Sequence, residues 1–403
     1  MRMTTVFKKL LCLQGACIRD VELRPDAIIV EVASRRLKHR CPKCPFSTRA
    51  GYDHDERFWR HVSLGKWRVL LHGVVCRLVC PTHGVITEAV PWAEHESKFT
   101  RDFEDLVAWL SREMNSTAIT RLVHISWATV GHIAARVASR YLNRQRLADL
   151  YQIGIDEVSY QKRHKYLTVV ADHVSGHAVW AAEGRSQKTL GQFFDELGDE
   201  GRARVTVATM DMCAPYIAEV RARLPNAEIA FDPFHVVKLG NEAVHAVRRT
   251  EARERKGSAQ AEVLKGSRWA LLKSPENLSD EEHVRLAAVT QLNARVYRAY
   301  LLKEELRALY ACGGHGASSH LTAWLAWACR SKLAPFVKLA RTIRKYRDGV
   351  LASIRLGVSN GRLEGLNNKI GMLKHRAYGF HSAAALIAMI YLCCTGMIIP
   401  LPV

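Results

Sequence analysis

Between Tyr151 and Asp232 the chain alternates short β-rich runs with helical ones, and three of the β-rich runs carry an aspartate or end in one. Tyr151-Gln-Ile-Gly-Ile-Asp-Glu-Val-Ser-Tyr160 reads as a strand with an acid in its interior. His164 to Ala171 and His177 to Ala182 read as two further strands, with Asp172 to Gly176 as the hairpin connection. Gln187 to Leu197 has helical spacing, Val205 to Asp211 is a strand ending in an acid, Tyr216 to Leu224 is a helix, and Ala227 to Phe231 is a strand running into Asp232. Such alternation is an α/β signature. A lone buried aspartate on a strand costs several kcal/mol unless it is paired or metal-bound, so Asp156, Asp211 and Asp232 in one fold unit ask for a cation. Glu157 is expected on the opposite side of the sheet from Asp156, because side chains alternate along a strand.

Three antiparallel strands followed by helix, strand, helix and strand is the order of the ribonuclease-H-like fold, in which carboxylates of neighbouring strands converge on divalent metal. A further carboxylate comes from Ser359 to Phe380, which reads as a helix. There Glu364, Asn367 and Asn368 share a polar stripe opposite Leu363, Leu366, Ile370 and Leu373. Lys369, Lys374, His375 and Arg376 add cations for phosphate on its flank.

Upstream of this region, Cys41-Pro-Lys-Cys44 and Cys80-Pro-Thr-His83 form two pairs with two-residue spacers. Tetrahedral zinc is held by two such knuckles donating S and N ligands. Cys76 competes for a place in the second pair. Ser116 to Ile133 fits a helix-turn-helix: Ile119, Leu122, Ile125, Val130 and Ile133 supply the apolar contacts, and Ser126 is placed as N-cap of a second helix over about Ser126 to Ala138. Trp127, Thr129 and His132 of that helix would face bases or phosphates in a major groove. His124 stands where a glycine often makes the turn. The charge agrees with a polyanionic partner: the formal net charge is +20, the pI is near 9.7, and the cations are spread along the chain.

The four motifs Gly154-Ile-Asp-Glu157, Met210-Asp-Met-Cys-Ala-Pro-Tyr216, Phe231-Asp-Pro-Phe-His-Val236 and Ser359-Asn-Gly-Arg-Leu-Glu-Gly-Leu-Asn-Asn368 stand in this order along the chain. With them the chain resembles the DDE transposases of bacterial insertion sequences, in the branch that carries a zinc-binding module and a helix-turn-helix before the catalytic domain. The resemblance spans essentially the whole chain. It implies Asp156, Asp211 and Glu364 as the metal-binding triad, and an Asp-x-x-His motif at Asp232 and His235 that supports the site. Asp232 remains a rival for the second metal ligand; Asp211 is preferred because the fold's second acid ends the fourth strand. The pairing of Cys80 with His83, where a second Cys pair is commoner, and Cys213, where an aromatic residue is more usual, depart from the family pattern.

The expected fold class is therefore multidomain α/β. A zinc-binding β-rich module covers residues 1–95, and a helix-turn-helix DNA-binding domain covers 96–148. The first part of a ribonuclease-H-like core covers 149–235, an all-helical insertion 236–355, and the closing helices with the catalytic Glu 356–403. The expected chemistry is metal-assisted phosphoryl transfer with two Mg²⁺ (or Mn²⁺) ions roughly 3.5 to 4 Å apart, carboxylate oxygens favouring these ions over zinc. The expected partners are double-stranded DNA, at the inverted-repeat ends and at the target, and a second copy of the chain in the synaptic complex. A non-catalytic DNA-binding regulator is the alternative.

No membrane is expected as a partner. Tyr378 to Val403 lacks Lys, Arg, Asp and Glu, but it is Ala-rich, ends in prolines and falls short of the ~20 strongly apolar residues of a span. It reads as a buried closing helix. An odd count of eleven cysteines and no signal-like N-terminus point to a reducing, cytoplasmic setting, associated with a bacterial nucleoid. Trp324 and Trp327 read as core residues, Cys312-Gly-Gly-His315 as a loop, and Cys393-Cys394 as a vicinal pair without ligand function. The run Arg248 to Lys256 reads as a solvated helix face with DNA contact nearly as good an account.

Overall fold

The computed structural model describes residues 2–161 and 165–401, without the side chains of residues 144 and 315. His164 and Val403, both used above, lie outside the described residues. The chain divides into two compact units: residues 1–142 with 376–378 and 391–403, and residues 143–375 with 379–390.

The first unit begins with α1 (Met3–Leu11) and continues with β1 (Ala16–Leu23), β2 (Ala27–Ser34), β3 (His39–Arg40), β4 (Ser47–Thr48), β5 (Asp53–Leu64), β6 (Trp67–Cys80) and β7 (Gly84–Thr87). The main sheet runs in the order β1-β2-β6-β5, with β7 also paired to β6, and β3 with β4 forms a separate two-stranded ribbon. Period-two burial in β6 turns Val69, Leu71 and Val75 onto a core shared with Phe7 and Leu11 of α1, Val30, Val32 and Trp59. Three helices follow: α2 (Arg101–Glu113), α3 (Ser116–Val123) and α4 (Trp127–Tyr141). Their apolar stripes bury Phe103, Val107, Ile119, Val123, Val130, Ile133 and Val137. Leu122 departs from expectation, being 59% exposed. In α3 the buried positions are Ile119 and Val123, one turn apart, which rotates Leu122 out to solvent.

The second unit holds a five-stranded sheet in the order β10-β9-β8-β11-β12. Its strands are β8 (Gln152–Gln161), β9 (Lys165–Asp172), β10 (Ala178–Glu183), β11 (Val207–Met210) and β12 (Glu228–Phe231), with α5 (Gln187–Arg204) and α6 (Ala214–Arg223) between the later ones. β9 is antiparallel to both β8 and β10, whereas β11 is parallel to both β8 and β12. The expected strands and helices of this stretch are present with ends within about two residues, except that α5 continues past Leu197 to Arg204 beyond a non-helical Gly198 (φ 72°). The sheet's apolar side chains Ile153, Ile155, Val170, Trp180 and Met210 pack with Leu190, Phe193, Tyr216 and Ile217 in one core.

From Pro233 the unit is helical: α7 (Pro233–Glu254), α8 (Ala259–Gly266), α9 (Arg268–Leu272), α10 (Asp280–Leu292), α11 (Ala294–Ala308), α12 (Gly313–Arg330), α13 (Ala334–Lys345), α14 (Arg347–Leu356) and α15 (Gly361–Arg376). A last helix, α16, spans Ala383–Cys394. Trp324 is buried in the core with its indole N–H donating to the Leu302 carbonyl at 2.8 Å, and Trp327 packs against the same core.

Three expectations need correction here. Cys312-Gly-Gly-His315 is not a loop, since α12 starts at Gly313. The thiol of Cys312 donates to the Ala308 carbonyl, and the His315 side chain lies outside the described residues. Arg248 is no solvated residue: it is buried and its guanidinium donates to the Leu264 and Lys265 carbonyls. The helix read over Ser359 to Phe380 ends at Arg376, where Tyr378 and Gly379 turn into positive φ (54° and 102°). Among the described residues no helix is long and apolar enough to cross a membrane.

Candidate metal centres and DNA-reading helix

Parallel pairing sets Met210 of β11 opposite Ile155 of β8 and opposite Phe231 of β12. One residue further along each chain come Asp156, Asp211 and Asp232, so register alone lines the three acids across neighbouring strands about 4.8 Å apart. Burial pushes the Asp156 carboxyl up to about 6, and the nearby charge of Asp211 pushes in the same direction. The backbone N–H of Glu157 donates to Asp156 Oδ1 at 2.6 Å.

Glu364 lies on α15, which packs against β8 through its neighbour Leu363. Gly154 sits two residues before Asp156 on the same side of β8, and a Cβ there would lie 2.6 Å from Leu363 Cδ2 and 3.0 Å from its Cγ. The missing side chain is what lets α15 lie so close to the strand. One turn after Leu363 and Glu364, the amide of Asn367 donates to Asp156 Oδ2. Glu364 stands three residues before Asn367, about one turn away on the same helix. The Glu364 side chain itself is exposed. The three carboxylates of the expected triad do not converge tightly: among the described residues, the group of His, Cys, Asp and Glu side chains with donor atoms all within 4.8 Å of one another lies elsewhere.

Asp211 and Asp232 have different surroundings. Asp232 is the N-cap of α7: its carboxylate accepts from the backbone N–H of His235 and from that of Asn360, both at 3.2 Å. Both oxygens of Asp232 thus serve the backbone. Asp211 is met by His235 Nδ1 at 3.0 Å, and this contact holds the imidazole pKa above its usual value. Glu157 points away from Asp156, with its carboxylate near the Cys213 thiol (3.7 Å) and Arg185 (3.8 Å); burial raises both the Glu157 and the Cys213 pKa. Of the expected phosphate contacts, Lys369 is exposed, while the Lys374 ammonium donates to the Ser159 carbonyl. The Arg376 guanidinium donates to the Ser111 and Arg112 carbonyls.

The tight group comprises Cys41, Cys44, Cys80 and His83. Cys41 lies beside the β3–β4 ribbon, and Cys80 and His83 belong to the β6–β7 hairpin, where Cys80 pairs with Gly84. Cys44 Sγ lies 3.5 Å from Cys80 Sγ, and His83 Nδ1 lies 3.5 Å from Cys80 Sγ and 3.7 Å from Cys41 Sγ. Zn–S and Zn–N bonds of about 2.3 and 2.0 Å in a tetrahedron give donor separations of roughly 3.5 to 3.8 Å, so the cradle fits zinc. Burial opposes ionisation of Cys80, but hydrogen bonding with His83 and the amides of Thr82 and His83 brings its thiol to about 6. Cys76 is outside this group, with its thiol turned to the Arg77 carbonyl at 3.1 Å.

Helices α3 and α4 form the expected bihelical turn. His124 closes α3 in the left-handed region (φ 53°), taking the place of a glycine. The Ser126 hydroxyl caps α4 by accepting from the Thr129 N–H at 3.2 Å and pairs with the Thr129 hydroxyl at 2.7 Å. Trp127, Ala128, Gly131 and His132 make up the exposed side of α4. The opposite side is pinned by charge: Arg140 bonds Asp105 at 2.8 Å and the fully buried Glu104, which Arg136 also meets at 2.8 Å, while Tyr141 donates to Asp105 at 2.7 Å.

Sequence reasoning missed the Asn367–Asp156 bond and the Gly154–Leu363 contact. A glycine inside a strand was the available signal for the second.

Residues 153–390 match a transposase family, the DDE transposases of the ISL3 type, and residues 88–138 match the helix-turn-helix domain of transposase family ISL3. The chain is 39% identical to the transposase for insertion sequence element IS1557 of Mycobacterium tuberculosis (strain H37Rv), over 98% of this chain and 96% of the relative. It is 29% identical to the transposase for insertion sequence element IS1001 of Bordetella parapertussis, over 84% and 85% of the two chains.

Proposed function

The chain belongs to the ISL3 family of insertion-sequence transposases, and on that premise we propose which of its side chains cut and join DNA. It binds the terminal inverted repeats of its own element and catalyses Mg²⁺-dependent cleavage and strand transfer from a ribonuclease-H-like core. The carrying observation is the juxtaposition of Asp156 and Asp211 on neighbouring strands with α15 laid over them by the Gly154–Leu363 contact and the Asn367–Asp156 bond.

Asp156, Asp211 and Glu364 would hold Mg²⁺ or Mn²⁺, hard cations suited to carboxylate oxygens. Bound there, they supply Lewis-acid polarisation of the scissile phosphate and a deprotonated nucleophile at neutral pH. The protein side chains do the positioning. Asn367 holds Asp156 Oδ2 turned toward α15, and His235 orients Asp211. Asp232 fixes the start of α7 and so the place of His235, a supporting role consistent with its two backbone partners. Burial makes the Asp156 charge costly and lifts its pKa to about 6, and a cation bound beside it would offset that cost.

In the first unit, Cys41, Cys44, Cys80 and His83 hold Zn²⁺ and tie the β3–β4 ribbon to the β6–β7 hairpin. Helix α4 enters the major groove, with Ser126, Trp127, Thr129 and His132 toward the DNA, and Lys369 of α15 meets phosphate. Bringing two ends together calls for a homodimer in the synaptic complex. The protein works in the bacterial cytoplasm, on the nucleoid.

The test uses purified protein, labelled duplexes carrying the candidate ends, and Mg²⁺, with every cut mapped to the nucleotide. Asp156→Ala, Asp211→Ala and Glu364→Ala are each expected to bind ends and leave them uncut. Full cleavage by a soluble variant removes that residue from the site; binding without cleavage by the unaltered protein makes it a regulator.

A further inference from the structure

From Leu306 to Arg347 the chain contains no aspartate or glutamate, although it is rich in Lys and Arg. Helix α13 lies in this stretch. At about 100° per residue, Phe336, Leu339, Ala340 and Ile343 fall within one arc of about 100° and are buried, whereas Lys338, Arg341, Arg344 and Lys345 fall within an arc of about 120° on the other side and are exposed. Arg330 at the end of α12 and Lys332 on the turn that leads into α13, both exposed, add to the cations here.

Several cations elsewhere in this unit are neutralised, such as Arg223 by Asp195, Lys273 by Glu282, Arg295 by Glu251, Arg307 by Glu276 and Arg355 by Glu228. Among the described residues, none of the six cations along α13 has a carboxylate partner. The contacts they do make leave the charge standing: Arg344 reaches the Cys329 sulfur at 3.5 Å, and the Lys345 ammonium lies 5.2 Å from the Tyr346 ring centre.

We propose that the outward face of α13 is a second DNA-binding surface, gripping the phosphates of duplex DNA without regard to sequence. The proposal rests on reading the chain as a transposase acting on DNA, and it adds a contact separate from the base-reading helix α4. Lys338 to Lys345 spans about 10 Å of helix, a length over which one DNA strand presents about three phosphates. A protein partner fits the face poorly, because among the described residues no large apolar side chain is exposed between Lys303 and Gly371 and protein interfaces are anchored by such residues. The absence of hydrogen-bonding amides such as Asn or Gln from the exposed arc argues for backbone contact over base reading.

The experiment measures binding of the full chain to a fluorescent 30-base-pair duplex lacking the element's ends, by anisotropy over a salt series, beside a duplex carrying the ends. Replacing Lys338, Arg341, Arg344 and Lys345 by Gln is expected to make the slope of log K against log salt shallower by about 2 to 3 for both duplexes, with the preference for ends unchanged. The charge-keeping variant Lys338→Arg/Arg341→Lys/Arg344→Lys/Lys345→Arg is expected to keep the original slope. Should the fourfold Gln variant misfold, Lys338→Gln/Arg341→Gln is expected to lose a slope of about 1 to 2. An unchanged slope in a folded Gln variant overturns the proposal, and so does a lost preference for ends with the slope intact. If the unaltered protein binds neither duplex, the transposase reading fails first.

Discussion

Gly154→Ala is the smallest change that separates α15 from β8. The added methyl would sit 2.6 Å from Leu363 Cδ2 and 3.0 Å from Leu363 Cγ, where carbon atoms normally keep about 3.5 to 4.0 Å. Leu363 is 2% exposed and has little empty space to move into, so either its side chain leaves its rotamer or α15 lifts by about 1 Å. Overpacking of this kind costs about 1 to 3 kcal/mol. A lift of α15 would also break the Asn367–Asp156 bond and carry Glu364 away from Asp156 and Asp211, and misplacement of about 1 Å can lower a rate by about a hundredfold. Leu363→Ala removes the atoms in conflict, at about 2 to 5 kcal/mol for the cavity it leaves. Denaturant unfolding and single-turnover end cleavage of the two single variants and the double variant form a cycle. The double variant is expected to be more stable than the sum of the singles by at least about 1 kcal/mol, and to recover cleavage relative to Gly154→Ala. Additivity within about 0.5 kcal/mol, with no recovery of cleavage, would refute the contact as the device that seats α15.

Asp156→Asn is expected to stabilise the metal-free protein at pH 7 by up to about 3 kcal/mol, because the native carboxyl titrates near 6 and the unfolded one near 3.9. The native state binds the proton more tightly, so wild-type stability falls as pH rises from about 4 to 6, and the advantage of the variant should vanish below about pH 4; an advantage independent of pH contradicts the assignment. Cys80→Ala is expected to lower zinc content from one ion per chain to none and to make residues 39–48 protease-sensitive, and retention of a full equivalent of zinc removes Cys80 from the cradle. Arg140→Ala leaves Glu104 buried with less counter-charge, and chemical denaturation should show a loss of about 3 to 5 kcal/mol together with weakened end binding. A loss below about 1 kcal/mol would mean that Arg140 adds little to the anchoring of α4.

Local pattern carried much of this protein. Strands β8 to β12 were legible because β-branched runs are bounded by acids and turn residues, and α4 because Ser126 caps it. The two knuckle pairs were legible because ligand spacing is itself local. What failed was contact over long separations. Nothing near Asn367 in sequence signals Asp156, 211 residues earlier. Arg376 and Lys374 look like phosphate ligands in a basic segment, yet both donate to backbone carbonyls far along the chain. Arg248 was misjudged for the same reason: its charge suggested solvent, while Leu264 and Lys265 offer it carbonyls inside the unit. Leu122 was misplaced by a single helical step, since apolar character alone does not say which of two adjacent residues faces inward.

The meeting of Asp156, Asp211 and Glu364 around a shared divalent cation can be tested in one experiment. Fe²⁺ substituted for Mg²⁺, with ascorbate and peroxide, cuts the polypeptide beside the metal it replaces, and the fragments can be placed by mass. Cuts within a few residues of positions 156, 211 and 364, all suppressed by excess Mg²⁺ and absent from Asp156→Ala, are the expected result. Cuts confined to other positions, or cutting at 156 and 211 with none near 364, would contradict it.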